Sequence, residues 1–392
     1  MAKKSSYAAR LGKALSTINT PTFRSGFSKV DTWIGLSNYA MNRRWSGRFD
    51  RALLFGRNYV FYGESGSGKS LIAAIAAGNA QKEQNAYVIW VDVEHATDDD
   101  AGQQWLRNAG VDLDEEKFAY VSAATLEEVK TLIAKTTVDY RDHINAGETD
   151  LPPVMIVVDS WAATITDSQW ERTGGKDAGK LVGDMGQKAK QLGDVILATT
   201  HLCAGIPVMV IGVQHIMDNQ DGHGRKHKTT GGNKMIYYAS GCMLLSKKEL
   251  RLEDVDSSDV KSHYAELDKG MLADVKKAGG GEKRAVGIIS TMEMLKSRVS
   301  KPFDRVDIQI PYMTGLDPYS GLFELLMQEG VIVKGSPGWF EYKTAEGVVK
   351  FQRSKFNDHA HKLMEVADSD IGGTEELETV PETTEEETVT EG

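Results

Sequence analysis

Residues 63–70 read G-E-S-G-S-G-K-S. This stretch satisfies the pattern G-x-x-x-x-G-K-[ST], and it lies between a predicted strand at residues 58–62 and an alanine-rich helical stretch that starts at Leu71. In this pattern the glycines let backbone N–H groups surround phosphate oxygens, and the following helix directs its positive end at them. The sequence therefore predicts a phosphate loop that binds a nucleoside triphosphate.

Two side chains of the loop carry specific chemistry. The Lys69 ammonium reaches the β and γ phosphates, and the Ser70 hydroxyl ligates Mg²⁺. The other residues contribute mainly backbone groups. The predicted nucleotide site comprises Gly63, Glu64, Ser65, Gly66, Ser67, Gly68, Lys69 and Ser70.

Two apolar runs downstream end in carboxylates. Residues 154–160 read V-M-I-V-V-D-S, as expected for a buried strand that aims Asp159 at the Mg²⁺ ion beside the loop. Residues 87–94 read Y-V-I-W-V-D-V-E and end with Asp92 and Glu94, either of which could polarise the attacking water. One carboxylate is expected to hold the metal and another to activate water.

A third apolar run, residues 208–213, ends at Gln214, whose amide is placed to sense the γ phosphate and to begin a mobile segment. Residues 286–291 and 306–310 continue the strand signal, whereas the charged residues 250–281 resemble an insertion or a hairpin excursion. Strands that alternate with helical segments predict an α/β fold with a mainly parallel sheet flanked by helices.

Residues 167–180 combine an aromatic side chain, basic side chains and three glycines. Bases stack on aromatic rings and phosphates attract cations, so this composition is typical of single-stranded nucleic-acid binding. The candidate side chains are Trp170, Arg172, Lys176 and Lys180.

Residues 215–234 are rich in glycine and in cationic or imidazole side chains and poor in apolar ones. Such a loop can contact a phosphate backbone, where each cation displaces condensed counterions, or it can be a solvated surface loop. A third interpretation is a zinc site at His215, His223 and His227, but no cysteine supports it.

The 392 residues can hold two or three domains. Only two cysteines are present, Cys203 and Cys242, both in apolar settings, so we expect core residues and a reducing cytoplasm rather than a disulfide scaffold. We find no signal peptide and no apolar run of about 18 residues. A cytoplasmic protein without membrane contact is expected.

Charge is distributed unevenly along the chain. The formal charge is -10, but eleven acidic residues and no Lys or Arg follow Leu363, and without these eleven the chain holds 46 basic and 45 acidic residues. This Thr/Glu-rich tail is expected to be disordered. It could serve solubility, act as a tethered polyanion that competes with nucleic acid, or dock a partner protein.

Longer motifs resemble the RecA recombinase family in order and spacing. They are G-E-S-G-S-G-K-S, V-D-V-E-H-A, V-V-D-S-W-A-A, V-Q-H-I and T-T-G-G-N-K-M-I-Y-Y-A-S. Three further runs look most like the phage UvsX-like branch of this family, namely M-L-K-S-R-V-S-K-P-F (294–303), G-L-D-P-Y-S-G-L-F-E-L-L (315–326) and G-W-F-E-Y (338–342). The resemblance covers about residues 25 to 345.

The resemblance implies roles for single residues. Glu94 takes the place of the catalytic glutamate, Asp159 that of the magnesium-side aspartate and Gln214 that of the nucleotide-sensing glutamine. Trp105 occupies the position of the aromatic that stacks on adenine. Lys296 and Arg298 match the cationic pair that a neighbouring subunit supplies to the γ phosphate.

DNA-binding loops are implied at about residues 165–180 and 215–233. The second loop adds Arg225, Lys226, Lys228, Gly231, Gly232 and Asn233 to the candidates of the first.

As a whole, the resemblance implies an ATP- and Mg²⁺-dependent, DNA-dependent ATPase in recombination, repair and recombination-dependent replication. It would form a helical filament on single-stranded DNA and pair it with homologous double-stranded DNA. A single-strand-binding protein and a recombination mediator are expected partners, and the location would be the infected host's cytoplasm for a phage protein. The expected division is an N-terminal oligomerisation arm (1–45), a RecA-type P-loop ATPase core (46–315), a small C-terminal region (316–364) and the acidic tail (365–392).

Two alternatives remain. A ring-forming helicase or a regulatory ATPase could use the same core, because a fold alone does not fix function. A filament or docking protein that binds ATP without turnover is the non-enzymatic alternative, against which stand Lys69, Glu94 and Asp159.

Overall fold

The computed structural model describes residues 10–11, 13–14, 29–174, 187–218, 227–229, 232–255, 258–270, 284–297 and 304–371. The chain divides into two compact units, Met1–Gly321 and Leu322–Gly392.

From residue 29 onward, the described residues of the first unit contain eleven strands and eight α-helices. Its strands are β1 (Trp33–Ile34), β2 (Leu53–Leu54), β3 (Asn58–Gly63), β4 (Tyr87–Asp92), β5 (Phe118–Ser122), β6 (Val154–Asp159), β7 (Val208–Asp218), β8 (His227–Thr229), β9 (Gly241–Arg251), β10 (Ala285–Lys296) and β11 (Arg305–Pro311). Its helices are α1 (Tyr39–Ser46), α2 (Lys69–Gln84), α3 (Asp100–Asn108), α4 (Leu126–Asn145), α5 (Asp167–Gly174), α6 (Gln187–Cys203), α7 (Asn233–Tyr238) and α8 (Ser258–Gly270).

Eight of these strands form the central sheet in the order β11-β10-β9-β3-β7-β6-β4-β5. The strands from β9 to β5 are parallel to their neighbours, whereas β10 and β11 are antiparallel additions at one edge. Strands β3 and β6 are apolar and almost fully buried along their length, as a parallel sheet covered on both faces requires. The predicted α/β fold with a mainly parallel sheet is confirmed.

Parallel strands bring their carboxyl ends to the same edge of a sheet. The register aligns Asp92 at the end of β4 with Asp159 at the end of β6, and Gly63 at the end of β3 with His215 on β7. The loops and side chains that follow these strands therefore meet at one edge, where α/β folds bind ligands.

One local expectation is corrected by the strands. Strand β7 does not end at Val213 but continues to Asp218 and pairs antiparallel with β8, so a β-ribbon follows Gln214 where a mobile segment was expected. Part of residues 250–281 is regular structure, since a 3₁₀ turn at Leu252–Asp254 and helix α8 follow β9.

The two cysteines lie in the core as predicted. Cys203 and Cys242 are both free thiols and completely buried. Burial raises the pKa of each thiol to about 12, which leaves both neutral and unreactive at physiological pH.

The second unit combines two helices with a small antiparallel sheet. Its elements are α9 (Leu322–Gln328), β12 (Val333–Lys334), β13 (Trp339–Thr344), β14 (Gly347–Gln352), a 3₁₀ turn (Arg353–Lys355) and α10 (Phe356–Ile371). Aromatic rings form its core: Phe323 packs edge-on against Phe340 and Phe356 at centroid distances of 4.9 and 5.3 Å. A three-stranded sheet gains its stability from such packing on helices.

The unit boundaries differ from the expected division at three places. Residues 34–45 of the expected arm are largely buried in the first unit, where Asn38 also donates to the carbonyl oxygen of Asp317 (2.8 Å). Residues 316–321 therefore belong to the first unit as well. Helix α10 extends to Ile371, seven residues into the segment predicted as disordered, and residues 372–392 lie outside the described part of the chain.

In the described residues, no helix is long and apolar enough to cross a bilayer.

Gly212 on β7 is a position where the fold tolerates no side chain. A Cβ there would lie 1.8 Å from Nε1 of the fully buried Trp161. We expect Gly212→Ala to lower the free energy of unfolding by about 2–3 kcal/mol, because the indole must leave its packed position. Urea unfolding measures this change. The double variant Gly212→Ala/Trp161→Phe should recover part of the loss, and a stability equal to or above that of the wild type in the single variant would contradict the contact.

Candidate nucleotide site at the carboxyl edge of the sheet

The phosphate loop connects β3 to α2 as the sequence predicted. Gly66 and Gly68 have φ angles of 69° and 94°, in the left-handed region that favours glycine. Gly63 is required for space, since a Cβ there would lie 2.5 Å from the carbonyl oxygen of Leu245. The loop is thus a close-packed backbone cradle at the N-terminus of a 16-residue helix, a geometry that suits phosphate.

Lys69 is held inside this cradle. Its side chain is buried, with 4% of the residue exposed, and its Nζ donates to the carbonyl oxygen of Glu64 at 2.6 Å. Burial lowers the pKa of Lys69, and the nearby carboxylates of Asp159 and Glu94 only partly oppose this shift. A desolvated cation with a carbonyl partner is well suited to meet a phosphate anion.

Asp159 and Ser70 form an oxygen pair beside Lys69. The Ser70 hydroxyl donates to the Asp159 carboxylate, and burial together with Glu94 and Asp92 raises the pKa of Asp159 to about 6. In the described residues, no group of three or more His, Cys, Asp or Glu side chains is arranged for a metal ion. A hydroxyl and a carboxylate nevertheless fit Mg²⁺, which takes most of its ligands from phosphates and water. The zinc interpretation gains no support, and His223 lies outside the described residues.

Mg²⁺-dependent nucleotide binding is expected to weaken as the pH falls below about 6, because Asp159 is then protonated. The metal requires the ionised carboxylate and must displace that proton, so affinity should fall about tenfold per pH unit below the pKa. Titrations with Mg²⁺ and ATP between about pH 5 and 7.5 measure the slope. Asp159→Asn is the matched control, because it removes the titrating carboxylate. An identical slope in both proteins would mean that a group other than Asp159 causes the pH dependence of nucleotide affinity.

Asp92 organises the turn that follows β4. Its carboxylate accepts hydrogen bonds from the backbone N–H (2.8 Å) and hydroxyl (2.7 Å) of Thr97 and from the hydroxyl of Tyr120 (3.2 Å). Burial opposes the ionisation of Asp92, but these bonds outweigh it and lower its pKa. Of the two acidic residues that end this strand, Asp92 is thus occupied with the backbone, which leaves Glu94 as the candidate base.

Glu94 projects from this turn and has two side-chain partners. The Ser160 hydroxyl donates to its Oε1, and Nε2 of His215 lies 3.1 Å from the same oxygen. Both Glu94 and His215 are about one third exposed, at 37% and 36%. The contact was not expected from the sequence, in which His215 was considered only as part of a basic loop or a zinc site. It links Glu94 directly to β7.

Gln214, the predicted nucleotide sensor, lies on the buried side of the sheet. Only 1% of the residue is exposed, and within the described structure its Oε1 has no hydrogen-bond partner. The parallel register places Gln214 beside Tyr62, whose buried hydroxyl is also without a partner there. The next residue, His215, makes the contact with Glu94, and the sensing role of Gln214 stays a prediction.

A cleft of ≈ 730 Å³ opens beside the loop. Trp105 from α3 lines it, with its ring edge-on to Trp90 at 6.5 Å, and the stacking role that the resemblance implied stays a prediction. Ile288, Ile310 and Tyr312 line it too, although sequence reasoning assigned them no role. Their only signal in the sequence was that Ile288 and Ile310 lie in the predicted strands at 286–291 and 306–310. Aromatic and aliphatic walls next to a phosphate cradle suit a nucleotide base.

Lys247 and Lys248 on β9 complete the wall of this cleft. Nζ of Lys247 donates to the carbonyl oxygen of Ser65 in the phosphate loop at 2.6 Å. Sequence reasoning missed this residue, because 182 positions separate the two partners.

Lys296 lies away from the phosphate loop of its own chain. Its Nζ donates to the carbonyl oxygen of Tyr237. The register of β10 against β9 pairs Lys296 with Cys242, whereas the loop begins at Gly63 beside Leu245. Arg298 lies outside the described residues.

The predicted DNA-binding residues are described only in part. Trp170 on α5 is 52% exposed, and Arg172 follows on the same helix. In the β7–β8 ribbon, Lys228 pairs with Met217, an exposed residue that sequence reasoning missed. Gly232, with φ 75°, and the exposed Asn233 begin α7. The remaining candidates, Lys176, Lys180, Arg225, Lys226 and Gly231, lie outside the described residues.

The sheet order, the phosphate loop and the carboxylates at the same edge define the class of this protein: an α/β protein with a RecA-type core. Known RecA proteins are similar to this chain in sequence. The chain is 26% identical to the RecA protein of Treponema denticola over 336 residues, 85% of this chain and 65% of that protein. It is 27% identical to the RecA protein of Chloroherpeton thalassium over 289 residues, 74% of this chain and 66% of that protein.

The RecA protein of Chlorobium limicola is also 27% identical, over 359 residues that cover 90% of this chain and 82% of that protein. The chain spans about two thirds of the length of the first two relatives. No protein-family model matches the chain. The similarity to these RecA proteins covers 74–90% of this chain at 26–27% identity.

Proposed function

We propose that this protein is an ATP-dependent DNA recombinase, of the phage UvsX-like branch, that forms a helical filament on single-stranded DNA. The filament pairs the bound strand with homologous double-stranded DNA in recombination, repair and recombination-dependent replication. The observation that carries the proposal is the contact between His215 and Glu94. Through it, one continuous strand joins the candidate hydrolytic carboxylate to the β7–β8 ribbon.

The nucleotide chemistry rests on four side chains. Lys69 would neutralise charge on the β and γ phosphates, and Ser70 and Asp159 would hold Mg²⁺, which would supply positive charge against the charge that develops on the phosphates. Glu94 orients a water molecule and accepts its proton. Trp105 and Tyr312 enclose the base in the cleft.

DNA binding is assigned to α5, which carries Trp170, and to the β7–β8 ribbon. Both Trp170 and Met217 present large exposed side chains, at 52% and 60%. Bases can stack on the indole, and the lysines and arginines of the two loops attract phosphates. Movement of the ribbon on DNA would displace His215 and change the position of Glu94, so that DNA and ATP bias the same element.

Electron microscopy with ATP and single-stranded DNA tests the proposal, together with an assay of strand pairing between that DNA and a labelled homologous duplex. Open helical filaments that pair homologous strands are expected. Closed rings that unwind duplexes would favour the helicase alternative. Nucleotide binding without turnover or pairing would favour the structural alternative.

Lys296 and Arg298 are proposed to act in trans, on the ATP bound by a neighbouring subunit. The position of Lys296 beside Tyr237, away from its own phosphate loop, supports this assignment. A 1:1 mixture of Lys69→Ala and Arg298→Ala proteins is expected to regain about a quarter of the wild-type turnover, because a quarter of the heterologous interfaces combine an intact lysine with an intact arginine. ATP hydrolysis over a series of mixing ratios measures this.

Complete failure to regain turnover, with mixed filaments demonstrated by labelled subunits, would assign the pair to its own chain.

A single-strand-binding protein and a recombination mediator remain proposed partners. The acidic tail is proposed to compete with DNA for the basic loops, through the charge asymmetry of the sequence.

A further inference from the structure

Two neighbouring residues of the antiparallel edge contact the phosphate loop. Lys247 on β9 and Ser290 on β10 are directly paired across the two strands. Lys247 donates through Nζ to the carbonyl oxygen of Ser65 (2.6 Å), and Ser290 donates through its hydroxyl to the carbonyl oxygen of Ser67 (2.7 Å). Both acceptors belong to peptide groups that lead into a glycine.

Because a peptide group is planar, a hydrogen bond to its carbonyl oxygen also fixes the direction of its N–H group. In a trans peptide the C=O of one residue and the N–H of the next point in opposite directions. A bond that fixes the Ser65 carbonyl therefore also fixes the N–H of Gly66, and the bond to Ser67 does the same for Gly68. Glycines with positive φ have no side chain to restrict them, so these peptide groups could otherwise rotate.

We propose that Lys247 and Ser290 are positioning residues that brace the phosphate loop, holding the N–H groups of Gly66 and Gly68 in the orientation that receives phosphate. Lys247 also adds a second positive charge to the site, since its Nζ lies 3.1 Å from the Cβ position of Gly66 and its side chain lines the cleft with Lys69. The inference rests on the proposed function insofar as the loop binds a nucleotide.

The two residues have different environments. Ser290 is fully buried, and a buried hydroxyl requires a partner, which the Ser67 carbonyl provides. The Lys247 side chain is exposed, so its bond must offset the loss of rotamer freedom in water and adds little to global stability. Loss of Lys247 should therefore affect nucleotide affinity much more than unfolding.

Equilibrium binding of MgATP and MgADP to the full-length protein tests this, with the urea midpoint of the nucleotide-free protein measured in parallel. Lys247→Met is expected to weaken binding of both nucleotides about tenfold with an unchanged midpoint, since a charge-assisted hydrogen bond is lost. Lys247→Arg, which can still donate to the Ser65 carbonyl, should recover most of the affinity. Lys248→Met is the matched comparison, because it removes the same charge from the same cleft without this bond, and a clearly smaller loss than in Lys247→Met is expected.

Ser290→Ala gives an independent test at the second bond. It should weaken nucleotide binding about threefold to tenfold by releasing the Ser67 carbonyl. The double variant should lose less than the product of the two single losses, because both residues support one loop.

Two results would contradict the positioning role. The first is wild-type nucleotide affinity in both Lys247→Met and Ser290→Ala. The second is an equal loss of nucleotide affinity in Lys247→Met and Lys248→Met. In either case wild-type binding and strand pairing would leave the proposed function intact. Failure of the wild-type protein to bind any nucleotide would overturn both.

Discussion

Glu94→Gln is expected to lower the rate of ATP hydrolysis by about 10² or more while nucleotide binding is retained. The amide keeps the shape of the side chain and can still accept the hydrogen bond from the Ser160 hydroxyl. It cannot take a proton from water. Steady-state hydrolysis in the presence of single-stranded DNA, compared with equilibrium binding of MgATP, measures the two effects separately. Filaments of this variant should persist because ATP is not consumed.

Asp92→Asn is the matched comparison, because it removes a charge of the same sign two residues away. Asp92 accepts hydrogen bonds from Thr97 and Tyr120, so its loss should loosen the turn and lower stability together with nucleotide affinity. The expected signature is thus general weakening rather than a selective loss of hydrolysis. Near-normal hydrolysis in Glu94→Gln, with a selective loss in Asp92→Asn, would move the base to Asp92.

Lys69→Met is expected to abolish measurable ATP turnover and to remove the stabilisation of the protein by MgATP. The substitution keeps an apolar stem of similar length and deletes the charge that meets the β and γ phosphates. Thermal unfolding with and without MgATP, together with ATP hydrolysis, measures both losses. Lys69→Ala, which also shortens the side chain, should likewise abolish turnover.

Without nucleotide, the Lys69→Met substitution is expected to leave the stability of the protein unchanged or to raise it. The pKa of Lys69 is lowered by burial, which means that the charged form is less stable in the folded chain than in the unfolded one at neutral pH. Removal of the ammonium therefore relieves a cost, and the Glu64 carbonyl keeps the Ser67 hydroxyl as a donor at 2.9 Å. An unfolding temperature equal to or above that of the wild type is expected without nucleotide. A marked decrease would mean that Lys69 is chiefly a structural residue.

Much of the site could be predicted because it is local in sequence. The phosphate loop lies between a strand and a helix that are its direct neighbours, and Asp159 follows a strand whose apolar composition is unambiguous. Strands β5 and β9 were missed for the opposite reason. β5 is only five residues long and has one buried residue, Phe118, and β9 ends in the charged run around Lys247, so neither strand is buried along its whole length.

The sequence by itself determined the parts of this protein that depend on neighbouring residues. These are the phosphate loop, the buried parallel strands with their terminal carboxylates, and the apolar setting of the two cysteines. Glycine, lysine and serine at fixed spacing have one chemical use in such a loop, and a run of β-branched residues has one stable environment.

Only the tertiary structure decided which distant residues share the site. His215 reaches Glu94 across 121 positions, and Lys247 reaches the phosphate loop across 182. Strand order and register create these contacts, and a shift of one residue would turn each side chain to the other face of the sheet. In the same fold, the Asp92 carboxylate accepts hydrogen bonds from backbone N–H groups of the turn. The Glu94 carboxylate lies beside Ser160 and stays partly exposed.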